Sequence, residues 1–244
     1  KEKLRSLRMK ACADRLEGVV KSAEAGNWSA LKTFEALLDI ELEARRLNRV
    51  ARRFKESKLT EKPTIDGFDF HFHKSRKEQK GKILALMDLA FIERREDAIF
   101  LGNPGVGKTF LAKCVAYAAT QAGIKTLFTT AAQMLNHLAA AEADSSLLKK
   151  LHYYNSFDLL VCDEIGYLPL GAAGSNLFFQ VVSQRHEQKS TLVTTNLPFA
   201  DWGTIFDSAI TATAIADRLV CGAKIIILEG PSYRKRIKKK PADK

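Results

Sequence analysis

An eight-residue run, Gly102-Asn103-Pro104-Gly105-Val106-Gly107-Lys108-Thr109, constrains this chain more than any other stretch. It satisfies the pattern G-x-x-x-x-G-K-[ST], a loop that wraps phosphate. Glycines let the backbone curl with its N–H groups turned inward. Lys108 then places a point charge on the β- and γ-phosphates, and Thr109 offers a hydroxyl to Mg²⁺. The helix that follows directs its positive end at the same anion. Nucleotide contacts are therefore expected along Gly102, Asn103, Pro104, Gly105, Val106, Gly107, Lys108, Thr109 and Phe110.

Such a loop needs a strand before it and a helix after it. Ala98-Ile99-Phe100-Leu101 reads as a buried strand. Phe110, Leu111, Cys114, Val115 and Ala118 recur at helical spacing. Further strands are expected at 125–129, 159–162, 191–195 and 224–228. Helices are expected at 132–143, 146–154, 175–187, 202–206 and 212–220. Strand–helix alternation implies a parallel sheet covered on both faces.

The third strand ends in Asp163-Glu164 after four apolar residues. Asp163 is placed to hold Mg²⁺ together with Thr109, and Glu164 to polarise a water for in-line attack on the γ-phosphate. The fourth strand ends in Thr194-Thr195-Asn196. If that strand lies between the first and the third, Asn196 sits beside the γ-phosphate and orients the attacking water. Asn196-Leu197-Pro198 alone reads equally as a turn. Arg218 suits an arginine finger reaching a neighbouring subunit's nucleotide. Spacing does not separate that role from a surface pair with Asp217, and Arg185 is a rival.

Ahead of the sheet, residues 1–66 read as a helical, charge-rich domain, and 67–244 as the nucleotide-binding domain with a basic tail. Leu4, Leu7, Ala11, Leu16, Val19 and Val20 mark one amphipathic helix, broken at Gly26-Asn27. Ser29 is a cap for a second, long helix. Pro63 and Gly67 mark a linker.

With a formal net charge of +11 in 244 residues, the chain favours a polyanionic partner. Three basic patches are candidates for DNA contact. One is the helical face carrying Arg45, Arg46, Arg49, Arg52 and Arg53. Another holds Lys149 and Lys150, and the third is the tail with Arg234, Lys235, Arg236, Lys238, Lys239 and Lys240. No base-reading module is evident, so binding should be largely sequence-independent and salt-sensitive. Long apolar spans and a signal-type leader are not expected, and Cys12, Cys114, Cys162 and Cys221 are too far apart to form a metal-type pair. The expected setting is the reducing cytoplasm. His71 and His73 alternate in an extended segment and are not expected to bind metal.

Taken together, these motifs resemble the initiator-type AAA+ ATPases. The resemblance is closer still to the IstB-like helper ATPases of bacterial insertion sequences, relatives of the DnaC helicase loader. It is carried by Phe68-Asp69-Phe70, Phe128-Thr129-Thr130-Ala131, the stretch Asp163 to Leu170, Thr195 to Phe199, Trp202-Gly203 and Gly230 to Arg234. It implies an ATPase using ATP and Mg²⁺, self-assembly on double-stranded DNA with ATP at subunit interfaces, and recruitment of a transposase. It also favours Arg218 as the finger and implies that the helical insert after the second strand, which holds Lys149 and Lys150, faces DNA. The usual helical lid is not expected after the fifth strand, so a sensor arginine from it is absent or replaced. Two other readings compete. One is a helicase loader, which would prefer single strands. The other is a small-metabolite P-loop kinase, against which the Asp-Glu pair and the polar fourth-strand tip argue.

Overall fold

The computed structural model describes residues 1–167 and 169–237; Leu168 and residues 238–244 lie outside the described residues, and with them the expected tail lysines Lys238, Lys239 and Lys240. The chain divides into two compact units, 1–52 and 53–244, so the division falls inside a helix rather than at the Pro63–Gly67 linker.

The first unit contains α1 (Glu2–Ser6), α2 (Lys10–Ala25) and most of α3 (Ala30–Glu56). The single first helix expected from the apolar spacing is two helices, because Arg8 takes a left-handed φ of 59°. Ser29 caps α3 by accepting the Lys32 N–H at 3.2 Å. The Cys12 N–H donates to the buried Glu41 carboxylate at 3.2 Å, which ties α2 to α3. Only one side of α3 is covered in this unit, so Leu31, Phe34, Leu42 and Leu47 stay exposed.

In the second unit, short helices α4 (Lys74–Glu78), α5 (Lys80–Met87) and α6 (Ala90–Glu93) precede the sheet. His73 keeps an extended backbone at the N-cap of α4, its Nδ1 accepting the Ser75 N–H. There follow β1 (Ala98–Gly102), α7 (Lys108–Gln121), β2 (Thr126–Thr130), α8 (Ala131–Ala143), α9 (Leu147–Asn155) and β3 (Leu159–Ile165). The chain continues through α10 (Gly171–Arg185), β4 (Ser190–Thr195), a 3₁₀ turn (Phe199–Thr204), α11 (Ala209–Val220), β5 (Lys224–Leu228) and α12 (Tyr233–Ile237). Residues 202–206, expected to be helical, fall largely in the 3₁₀ turn.

All strand pairs are parallel, in the order β2-β3-β4-β1-β5. The near-continuous apolar composition of the strands is explained by cover on both faces. On one side Ile99, Leu160, Cys162 and Val193 pack with Met134 and Leu138 of α8, Phe178 of α10 and Ile215 of α11. On the other, Phe100, Val161, Leu192 and Ile226 pack with Ile83 of α5 and Leu111 and Val115 of α7. Thr130 closes a capping box with Gln133 and so starts α8 directly off β2. The order places β4 between β1 and β3, so the tips of all three strands meet at one end of the sheet.

Candidate nucleotide site

The phosphate-type loop leaves the tip of β1 and enters α7, whose first residue is Lys108. Gly105 and Gly107 take φ of 84° and 108°, conformations that favour glycine. Space also requires them. A Cβ on Gly107 would come within 2.7 Å of the Phe68 ring, and one on Gly105 would collide with the Ser232 side chain. Lys108 is buried, and its Nζ donates to the carbonyls of Gly102 (2.6 Å) and Asn103 (3.0 Å). Burial pushes its pKa below the usual lysine value, and the Asp163 carboxylate works in the opposite direction.

Asp163 is buried at the end of β3. Its Oδ1 accepts the Thr109 hydroxyl at 3.1 Å and also the Thr194 hydroxyl. Thr194 in turn accepts the Glu164 N–H at 3.0 Å. One β4 hydroxyl therefore joins both members of the acidic pair. Regular alternation would put Glu164 on the face opposite Asp163. Instead the β3–β4 register breaks between Cys162 and Ile165, and Glu164 takes φ of 64°. That bulge lets Ile165 take its place among the α8–α11 side chains and turns Glu164 into the cleft beside the loop.

The cleft is about 330 Å³. Its walls include Phe68, Phe110, Lys108, Thr109, Glu164, Tyr167, Thr194 and Arg234. Hydroxyl and carboxylate oxygens at Thr109 and Asp163 are hard donors that suit Mg²⁺. Among the described residues no group of three or more His, Cys, Asp or Glu assembles as a metal cage. An ion held by Thr109 and Asp163 would complete its shell with phosphate and water oxygens.

Four residues that line this site, Thr194, Tyr233, Arg234 and Arg76, carry no nucleotide-site role in the sequence analysis. Thr194 was read only as part of a strand tip. Tyr233 and Arg234 reach the cleft because the segment after β5 folds back: the Tyr233 N–H donates to the Gly105 carbonyl at 2.9 Å. Arg76 is buried against the loop and lines the cleft, and nothing in its sequence neighbourhood marks it for that place. Its guanidinium lies 4.4 to 4.9 Å from the rings of Phe68, Phe72 and Tyr233.

Asn196 directly follows β4, with its Oδ1 buried beside Gly166 and without a hydrogen-bond partner among the described residues. Thr194, two residues earlier, is the β4 residue that lines the cleft. Arg218 lies on α11, half-buried, donating to the Ala214 carbonyl at 2.8 Å and stacked 4.9 Å from the Phe179 ring. Arg185, the rival finger, is 1% exposed and cannot reach another subunit. It donates to Thr191 Oγ1 (3.1 Å) and to the carbonyls of Tyr154 (2.9 Å), Phe157 (3.0 Å) and Ser190 (2.6 Å).

Of the basic candidates, Arg45 pairs with Glu41 at 2.9 Å, and Arg46 forks Glu43 at 2.7 and 2.8 Å. Arg49 and Arg52 are exposed on the same helix. Arg53 belongs to the second unit, where it pairs with Glu56 at 2.9 Å and donates to the Gly123 carbonyl at 3.1 Å. On α9, Lys149 is exposed and Lys150 lies 5.6 Å from the Tyr153 ring. No helix among the described residues is long and apolar enough to cross a membrane.

A parallel sheet in the order 2-3-4-1-5, with the loop after β1 and an Asp-Glu tip on β3, gives the chain an AAA+-type P-loop fold. The DnaC helicase loader has a similar fold, with a TM-score of 0.55 at 21% identity over 72% of this chain and 98% of that one. Residues 2–241 match the family described as IstB-like ATP binding protein, and the chain belongs to that family. It is 35% identical over 95% of its length to a Bacillus thuringiensis subsp. berliner protein named for ATP binding in insertion sequence IS232, covering 92% of that protein. It is 36% identical over 98% of its length to the corresponding IS5376 protein of Geobacillus stearothermophilus, covering 94% of it.

Proposed function

We propose that this chain is an ATPase that assembles on double-stranded DNA and recruits or stimulates a transposase. The observation that carries the hydrolytic part is the β3 bulge. It sets Glu164 in the cleft next to the Asp163–Thr109 pair, where a base must stand to polarise water toward a γ-phosphate. Tight binding alone would not require a left-handed glutamate there. Lys108, the Gly102–Phe110 loop and Arg234 supply positive charge and N–H groups to ATP. When Mg²⁺ is bound between Thr109 and Asp163, it neutralises charge on the transferred phosphoryl group. Asn196 orients the attacking water, and Arg218 completes the site of the adjoining subunit.

The insertion-sequence relatives match across nearly the whole chain, which supports transposition over helicase loading. DNA contact through Arg45, Arg46, Arg49, Arg52, Arg53, Lys149 and Lys150 would be to phosphates, and so strongly salt-dependent. The test is Glu164→Gln. It should bind ATP as the wild type does, hydrolyse it 10²- to 10⁴-fold more slowly, and accumulate as an ATP-bound oligomer on duplex DNA. A variant that stays monomeric with ATP and duplex refutes assembly. Preference for single strands at matched salt favours the loader reading instead.

A further inference from the structure

Two carbonyls of the phosphate-type loop are tied by other segments of the chain. The Gly105 carbonyl accepts the Tyr233 N–H at 2.9 Å, and the Val106 carbonyl accepts Arg76 Nη2 at 2.7 Å. In a trans peptide the C=O of one residue points opposite to the N–H of the next. All peptide bonds among the described residues are trans. Fixing the Gly105 carbonyl on Tyr233 therefore fixes the Val106 N–H on the opposite side of that peptide, and fixing the Val106 carbonyl on Arg76 does the same for the Gly107 N–H. Those are the donors a phosphate meets.

Arg76 is built for this contact. It is 2% exposed. Its second nitrogen, Nη1, donates to the Asp69 carbonyl at 2.9 Å, so one fork spans the loop and the segment in front of it. Phe68, Phe72 and Tyr233 box the guanidinium, which limits its motion. Burial disfavours the charged form of Arg76 and the Asp69 charge works the other way; a buried cation of this kind persists where its geometry is needed. We infer that Arg76 is a positioning residue of the nucleotide site, holding the Val106–Gly107 peptide with its N–H toward the phosphates. This rests on the ATP-binding reading above.

The full chain, carrying Arg76→Met or Arg76→Lys, would be titrated with ATP by calorimetry. Hydrogen exchange of the peptide covering 102–109 and thermal melting would be followed in parallel. Arg76→Met should stay folded, exchange its loop amides faster, and bind ATP at least tenfold more weakly. Arg76→Lys keeps the charge but cannot span both carbonyls, so it should recover less than half of that loss on a logarithmic scale. A folded Arg76→Met within threefold of wild-type affinity overturns the inference. So does an Arg76→Lys with wild-type affinity, which decides the matter alone if Arg76→Met does not fold. Failure of the wild type itself to bind ATP refutes the site reading instead, and Lys108→Ala provides the non-binding reference.

Discussion

Replacing Arg185 and Arg218 separately should split stability from catalysis. Both are arginines on helices near strand ends, and both suit the finger role by sequence. In the structure Arg185 makes four hydrogen bonds from a fully buried position, three of them to main-chain carbonyls. Burial lowers its pKa to about 10, so it remains charged at neutral pH. Arg185→Met leaves three buried carbonyls and a hydroxyl without their donor. Breaking a buried charged network of this kind costs roughly 3–5 kcal/mol. For a unit of this size, each kcal/mol lowers the melting temperature by about 2–4 °C, so a drop of roughly 6–20 °C is expected. Arg218 donates only within its own helix and stacks on one ring. Arg218→Ala should cost no more than about 1 kcal/mol, yet lower DNA-stimulated ATP hydrolysis by about 10³-fold or more if it is the finger. Melting curves and a phosphate-release assay on both variants settle the matter. An Arg185→Met protein that melts like the wild type and loses hydrolysis as Arg218→Ala does would refute the reasoning.

Two further outcomes follow from nearby contacts. Asp97 is buried, accepts the Thr191 N–H at 2.6 Å, and has its pKa raised by burial to about 7 from an ordinary 3.8. A raised acid pKa favours the folded state while the group is neutral. That advantage erodes as pH climbs through the interval and is gone above about 7. Urea unfolding should show the wild type losing about 2 kcal/mol between pH 5.5 and 8 that Asp97→Asn does not lose, and parallel pH profiles would contradict this. Thr194→Val is nearly isosteric but removes the hydroxyl shared by Asp163 and the Glu164 N–H. It should reduce kcat for ATP about 10- to 100-fold while ATP affinity changes less than threefold; an affinity loss equal to the rate loss would show that Thr194 acts in binding.

The strands were readable because a parallel sheet buried on both faces leaves little but apolar residues. Lys224–Leu228 matches its expected bounds through its run of three isoleucines and a leucine, although as an edge strand it is only partly buried. The loop residues announced themselves because phosphate binding admits few residue types at fixed spacing. What stayed hidden depends on the third dimension. Glu164 was assigned its role by adjacency to Asp163, but adjacency in a strand points side chains apart, and the bulge that reunites them has no sequence mark. Arg76 reads as one more surface charge until Phe68, Phe72 and Tyr233 close around it. The break at Arg8 went unseen because the apolar spacing runs through it. Spacing alone left Arg185 and Arg218 level; the family resemblance favoured Arg218, and burial now removes Arg185 from the role.

The Tyr233 N–H on the Gly105 carbonyl means that the backbone leading to the C-terminus is anchored on the very bend that must grip a triphosphate. Mechanical load applied downstream, whether by a tethered protein or a duplex pulling on basic side chains, would reach the loop through that anchor. Fusion tags appended at this end are therefore a poor choice for measuring nucleotide affinity.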